Sequence, residues 1–193
     1  MAVIWRKNTQ NVAYEIRSAG KTRRLYTNGV CHSQFNPQRL LTGSIWDLLF
    51  IPSFFHKSNN IQRVLVLGVG GGAVLRLLNH FFKVDEMHGV ERDPVHLYIA
   101  KRFFGLAAAN VVLHEADAKD WVEAYAGKPF DLIIEDLFTE ASGQPMRAVS
   151  ANSKWYQQLK QLLAKDGVLV MNLASQDEFR QSAAKRIKQV NHS

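Results

Sequence analysis

A single cysteine, Cys31, in 193 residues leaves no partner for an intrachain disulfide and no thiolate set for a zinc cluster. A reducing cytoplasm is therefore the expected compartment. No apolar run approaches the roughly 18–20 residues that a membrane helix needs. The most apolar stretch, Ile45–Phe55, is 11 residues long and is interrupted by Asp47, Pro52 and Ser53. A secretory leader is not expected either, because the apolar part of MAVIWRKN is short and precedes its charges. Internal repeats and low-complexity tracts are missing. With 47% hydrophobic and 21% charged residues, the composition is that of a folded chain and not a disordered one. The length suits one compact domain with a small appendage.

Metal and nucleophile signatures are also lacking. The seven histidines (His32, His56, His80, His88, His96, His114, His192) show no ligand spacing, so no metal is expected. No G-x-S-x-G elbow occurs. Cys31 and His32 are neighbours on a predicted strand, where alternation would send them to opposite faces and prevent a nucleophile–base pair. Acids are scarce in residues 1–60, which hold Glu15 and Asp47 against eight Lys/Arg, whereas residues 61–193 are nearly balanced. That asymmetry predicts a basic, solvated surface on an N-terminal appendage. Contact with RNA is the minority reading, because no RNA-binding motif accompanies the charge.

Residues 1–36 read as a small β-meander. The runs Asn11–Ser18 and Lys21–Thr27 flank Ala19-Gly20, and Asn28-Gly29 has the residues of a type I′ turn. Residues 37–193 read as the main domain. Its first element is a helix opened by Pro37, with Leu40, Leu41, Ile45, Leu48 and Leu49 on one face. Ser58-Asn59-Asn60 is a polar break. Strands are then predicted at 63–67, 86–91, 111–114, 130–135 and 167–173. Helices lie between them at 73–82, after Asp93-Pro94, and at 117–125 and 151–164. A last helix covers 177–190, and residues 137–150 read as a loop. The expected fold class is α/β, with a parallel sheet and helices on both faces. Trp46, Phe50, Phe54 and Phe55 read as core or dimer-contact residues, so a homodimer is an open expectation.

The chemistry concentrates at the ends of these strands. Val64–Ala73 (VLVLGVGGGA) places Gly68, Gly70 and Gly72 between a buried strand and a helix N-terminus, where bare backbone and unpaired N–H groups suit a ligand. Glu91 ends the next strand, where a carboxylate can accept both hydroxyls of a ribose. This pattern fits G-x-G-x-x-G/A as well, so a nicotinamide dinucleotide stays open. Asp117, in EADA, suits an adenine amino group or a helix N-cap. Glu135 and Asp136 end the fourth strand, where a sulfonium and an amine acceptor would both favour carboxylates. These last features tilt the choice towards S-adenosylmethionine.

Residues 61–175, about 60% of the chain, resemble the spermidine synthase-like branch of the class I methyltransferase fold. The matching segments are VLVLGVGGGAVLRLL, HGVERDPVHLYIAKRFF, HEADAKDWV, PFDLIIEDLF and WYQQLKQLLAKDGVLVMNL, with LYTNGVCHSQFNP resembling the strand that precedes the catalytic domain in aminopropyltransferases. The resemblance implies a Rossmann-like methyltransferase sheet and a cofactor pocket built by Gly68, Gly70, Gly72, Glu91 and Asp117. It also implies Asp136 facing the transferred group; the need to take a proton from an amine nucleophile makes Asp136 the expected base, with Glu135 or Glu140 as its helper. The cofactor would be S-adenosylmethionine or its decarboxylated form, and the partner a small-molecule acceptor. Three departures stand out. Gly71 holds the place of the acid in the family's G-G-G-D-G-G turn. Thr139 holds that of a second catalytic acid. The acceptor-gripping D-E-x-x-Y stretch is replaced by PQRLL. The family's last two strands have no counterpart before Ser193, so either a sheet without that pair or a fragment of a longer chain is expected. Methyl transfer to an unidentified acceptor is the first expectation and aminopropyl transfer the second. A nicotinamide oxidoreductase and a non-catalytic nucleoside-binding protein complete the set.

Overall fold

The computed structural model of the chain describes residues 1–56, 61–141 and 144–182, the side chains of Glu140 and Ala141 excepted. Four strands open it: β1 (Ala2–Asn8), β2 (Ala13–Ala19), β3 (Thr22–Thr27) and β4 (Val30–Phe35), joined antiparallel in the order β1-β2-β3-β4. The β3–β4 turn is Asn28-Gly29, with φ of 48° and 84°, the positive pair that a type I′ hairpin requires. Tyr14, Ile16 and Leu25 of this meander are buried against Val95, Ile99 and Phe104, so the small sheet is fastened to the main domain by an apolar layer.

The helix expected from Pro37 starts late. Residues 36–44 are turn and bend, Gly43 has φ of 73°, and α1 runs only over Ile45–Phe50 before a 3-10 turn, Ile51–Phe55. The Asp47 carboxylate accepts from the N–H groups of Thr42, Gly43 and Ser44 and fixes the start there. Leu40 and Leu41 are exposed in consequence. The predicted break at Ser58–Asn60 lies outside the described residues.

Alternation then holds as read: β5 (Arg63–Leu67), α2 (Ala73–Phe81), β6 (Glu86–Glu91), α3 (Pro94–Phe103), β7 (Val111–Glu115), α4 (Ala118–Ala124), β8 (Phe130–Glu135). A two-stranded hairpin follows, β9 (Phe138–Ala141) with β10 (Gln144–Arg147), where a loop was expected. Its strands are only four residues long, too short to show a period. Next come α5 (Ser153–Gln161), β11 (Leu163–Met171) and α6 (Gln176–Gln181). The rest of the last predicted helix, beyond residue 182, lies outside the described residues. The five-stranded sheet has the order β11-β8-β5-β6-β7, with every pairing parallel.

Central strand β5 is hydrophobic and buried from residue 64 to 67 because both its faces are covered there. Val64 and Val66 pack with α2 residues Leu75 and Leu78 on one side. Leu65 and Leu67 pack with Val122 of α4 and Trp155 and Leu159 of α5 on the other. Each such side chain contributes about 1.5–3 kcal/mol on burial. The chain order reverses across β5: β6 and β7 lie on one side, β8 and β11 on the other. A crevice opens at the carboxyl ends of strands around such a switch point. Among the described residues no helix is long and apolar enough to cross a membrane.

Candidate functional site

The switch point holds a cleft of about 630 Å³. Its walls come from the carboxyl ends of all five parallel strands and from the meander. Gly68–Gly70 follow β5, Glu91 ends β6, Asp117 follows β7, Asp136 follows β8 and Asn172 follows β11. Tyr14, Thr27 and His32 close it from the meander, Trp46 from α1, and Phe138, Thr139 and Pro145 from the β9–β10 hairpin.

The Gly-rich turn and Glu91 form one unit. Glu91 Oε2 accepts from the N–H groups of Val69 (3.1 Å) and Gly70 (2.9 Å), and Oε1 from Asp93 N (3.0 Å). Burial alone would raise this carboxyl. His96, with Nδ1 at 3.9 Å, and the Gly70 and Asp93 amides outweigh it and hold the pKa down to about 2. The group is thus an anion at any physiological pH. His96 shares a 2.8 Å hydrogen bond with Thr27 Oγ1, and the Tyr14 hydroxyl donates to Asp93 Oδ2 at 2.8 Å. Burial, reinforced by that bond to Asp93, pushes the Tyr14 pKa up to about 12, so it stays a donor. The meander therefore braces the loop that carries Glu91.

Gly68 and Gly70 line the cleft, whereas Gly71 and Gly72 do not. Gly72 is the N-cap of α2, and a Cβ there would meet Leu106 at 2.7 Å. The pressure for glycine thus comes partly from the fold. At Gly68 an added Cβ would lie 2.2 Å from the Asp136 carbonyl oxygen, with φ at 85°. Asp117 lines the cleft and caps α4, accepting from Lys119 N at 2.8 Å, so both roles read from the sequence coexist in position.

Asp136 and Glu135 part company. Asp136 lines the cleft; its Oδ1 accepts from Asn172 Nδ2 at 2.7 Å, and the Trp46 indole also bonds to it. Burial raises its pKa above the usual aspartate range, against the pull of those two bonds and of Arg147. Glu135 does not line the cleft. It is fully buried in a bidentate pair with Arg147, both N···O distances 2.9 Å, and burial pushes its pKa up to about 7. The Glu140 side chain lies outside the described residues; its backbone pairs with Pro145.

One sequence reading is widened and another corrected. Trp46 packs against the core as read, but it also lines the cleft. Cys31 and His32 both line the cleft, because the β3–β4 ladder shifts register: Tyr26 pairs with Cys31 but Leu25 with Ser33. The extra residue breaks strict alternation. The pair is still no nucleophile site, since burial raises the Cys31 pKa and disfavours the thiolate. Tyr14, His96 and Asn172 carry no motif of their own; their contacts appear only once the meander and β11 are in place. Among the described residues no metal-binding cluster is present.

The arrangement fits a nucleoside sulfonium. The lining carries Glu91, Asp93, Asp117 and Asp136 against Arg92 and Lys119, an excess of negative charge that favours a cation. The carboxylate at the end of β6 suits a ribose, and the Gly68–Gly70 backbone lines the cleft beside it.

Comparison with known proteins agrees. Residues 47–192 match the family model described as spermine/spermidine synthase domain. A polyamine aminopropyltransferase of Vibrio vulnificus is 32% identical over 117 residues, which cover 59% of this chain and 38% of that protein. An eEF1A lysine and N-terminal methyltransferase of Mus musculus is 29% identical over 124 residues, covering 59% of this chain and 17% of that protein. The chain thus spans well under half the length of both relatives. The crystal structure of spermidine synthase from Thermotoga maritima shares the fold, with a TM-score of 0.68 and 21% identity over 88% of this chain and 56% of that one. With the family model running over most of its length and the glycine turn, Glu91 and Asp136 in the expected order around one cleft, this chain belongs to the spermine/spermidine synthase domain family.

Proposed function

We propose that this protein is an S-adenosylmethionine-dependent transferase that moves a methyl group to an amine acceptor, with Asp136 as the general base. The observation that carries the reading is the joint placement of Glu91, the Gly68–Gly70 backbone and Asp136 around one cleft. Gly68, Gly70, Glu91 and Asp117 would hold the nucleoside. When bound, the cofactor supplies an electrophilic carbon attached to a sulfonium leaving group. The protein's part is then to align the acceptor and remove its proton. Alignment is worth roughly 7–11 kcal/mol where the reacting groups are held in an attack geometry. Asp136 has one oxygen fixed by Asn172 and lies in the cleft wall, so its carboxylate can take the proton that a neutral amine sheds as its nitrogen attacks the carbon and the sulfonium leaves as a thioether. Trp46, Leu137, Phe138 and Val149 add apolar surface to the cleft lining.

Aminopropyl transfer from decarboxylated cofactor is the second reading, favoured by the likeness to polyamine aminopropyltransferases. Two features of the site weigh against it. At Gly71, the place of the family acid, even a Cβ would meet the buried Phe104 ring at 2.5 Å and Ser33 at 2.6 Å, so an acid has no room. At Thr139, the place of the second acid, the hydroxyl accepts from the Arg92 guanidinium at 3.1 Å. The position therefore presents no carboxylate to a second ammonium, which a diamine carries and a single-amine acceptor does not. Titration calorimetry with S-adenosylmethionine and its decarboxylated form separates the two readings. We expect the carboxylated form to bind at least about tenfold more tightly, a difference of about 1.4 kcal/mol. Preference for the decarboxylated form would transfer the assignment to aminopropyl chemistry.

A further inference from the structure

Arg147 ends the β9–β10 hairpin, and its guanidinium is engaged on every side. Nη1 and Nη2 donate to Oε2 and Oε1 of Glu135. Nε donates to the Val149 carbonyl at 3.1 Å and lies 2.7 Å from Glu178 Oε1 on α6. Nη1 also donates to the carbonyl of Asn172. The arginine side chain is 6% exposed and that of Glu135 not at all. One buried cation therefore ties the hairpin, the end of β8, the residue after β11 and α6.

Two of those attachments bear on Asp136. Glu135 immediately precedes it. Asn172 gives its carbonyl to Arg147 while its side-chain amide donates to Asp136 Oδ1 at 2.7 Å. Stability alone is a poor reason for such a pair, because desolvation of two buried ions offsets most of their attraction. A bidentate fork is directional, however, and sets the position of whatever it grips. We propose that Arg147 is a positioning residue for the reacting acid: by gripping Glu135 and the Asn172 backbone together, it keeps the Asn172 amide on one Asp136 oxygen and leaves the other for the acceptor. The consequence for turnover rests on the reading of Asp136 as the base; the positioning itself does not.

The test follows Asp136 directly. Aspartate carboxyl carbons are labelled with ¹³C in the whole chain and titrated by NMR, with S-adenosylhomocysteine affinity and thermal midpoint measured alongside. The double variant Arg147→Met/Glu135→Leu removes the pair; since the Arg147 charge itself holds the Asp136 pKa down, a shift counts for the loosened amide only where Arg147→Lys shows it too. Arg147→Lys keeps the charge and loses the fork, and serves if the double variant does not fold. In either variant Asp136 is expected to titrate roughly half to one pH unit higher, because a hydrogen bond that favours its ionised form is weakened. S-adenosylhomocysteine affinity is expected to stay within about threefold of the parent, under about 0.7 kcal/mol. An unmoved Asp136 titration beside a lowered midpoint overturns the proposal and makes Arg147 a strut. The base reading fails on a different result, turnover retained in Asp136→Asn.

Discussion

Asp136→Asn is expected to lower transfer to a primary-amine acceptor by about 10²–10⁴-fold, the range removed with a general base. S-adenosylhomocysteine affinity should change by less than about threefold, because the contacts proposed for the nucleoside, at Gly68–Gly70, Glu91 and Asp117, do not include Asp136. The substitution is nearly isosteric, and the surviving carbonyl of the new amide can still accept from Asn172. The pH dependence has a definite sign. A base works ionised, and burial raises the Asp136 pKa above the usual aspartate value. Activity therefore falls as pH drops through that raised pKa, and the acid limb lies above the pH at which an exposed aspartate would titrate. Release of S-adenosylhomocysteine, followed across pH in parent and variant, measures both. Equal loss of binding and turnover would make Asp136 a binding or structural group.

Gly68→Ala carries the largest expected effect on folding. The residue sits at φ of 85°, which costs an alanine about 1–2 kcal/mol. The larger penalty is steric. The new Cβ would lie 2.2 Å from the Asp136 carbonyl oxygen, and neither backbone is free to retreat. Gly68 N donates to Val90 O at 2.9 Å and Asp136 N to Leu67 O at 2.8 Å, so both segments are laced to neighbouring strands. A total above about 3 kcal/mol is expected, at the exceptional end for single substitutions. Urea unfolding of parent and variant gives the number. Gly72→Ala is the control: its Cβ would meet only the Leu106 side chain, which can shift, so its cost should be smaller.

These two residues also show what was legible in the sequence. The β5–Gly68–α2 unit announces itself, because an apolar strand, a glycine cluster and a helical period follow one another without a gap. The position of Glu91, Asp117 and Asp136 at the cleft is legible for the same reason: each ends or closely follows a readable strand. Glu135 resembled Asp136 in every sequence respect, and only strand alternation into a buried pair with Arg147 separates them. Arg147 itself sits in a four-residue strand that no pattern marks. Tyr14, Thr27 and His96 meet around Glu91 through contacts between residues up to about 80 positions apart, which local pattern cannot register. Cys31 and His32 were misread because one extra residue in a ladder undoes the period-2 rule. The helix after Pro37 was overextended because apolar spacing ignored Gly43 and the Asp47 carboxylate that holds the turn.

Glu91 is the hinge of the whole interpretation, since it is both the acid proposed to hold the nucleoside and the acceptor for the glycine turn. The most direct measurement is calorimetric titration of the parent and of Glu91→Gln with S-adenosylhomocysteine and with NAD. The nucleoside thioether is expected to bind the parent, with affinity falling at least about tenfold in Glu91→Gln, while NAD gives no heat above dilution. Heat from NAD alone, or equal S-adenosylhomocysteine affinity in both proteins, would contradict the account.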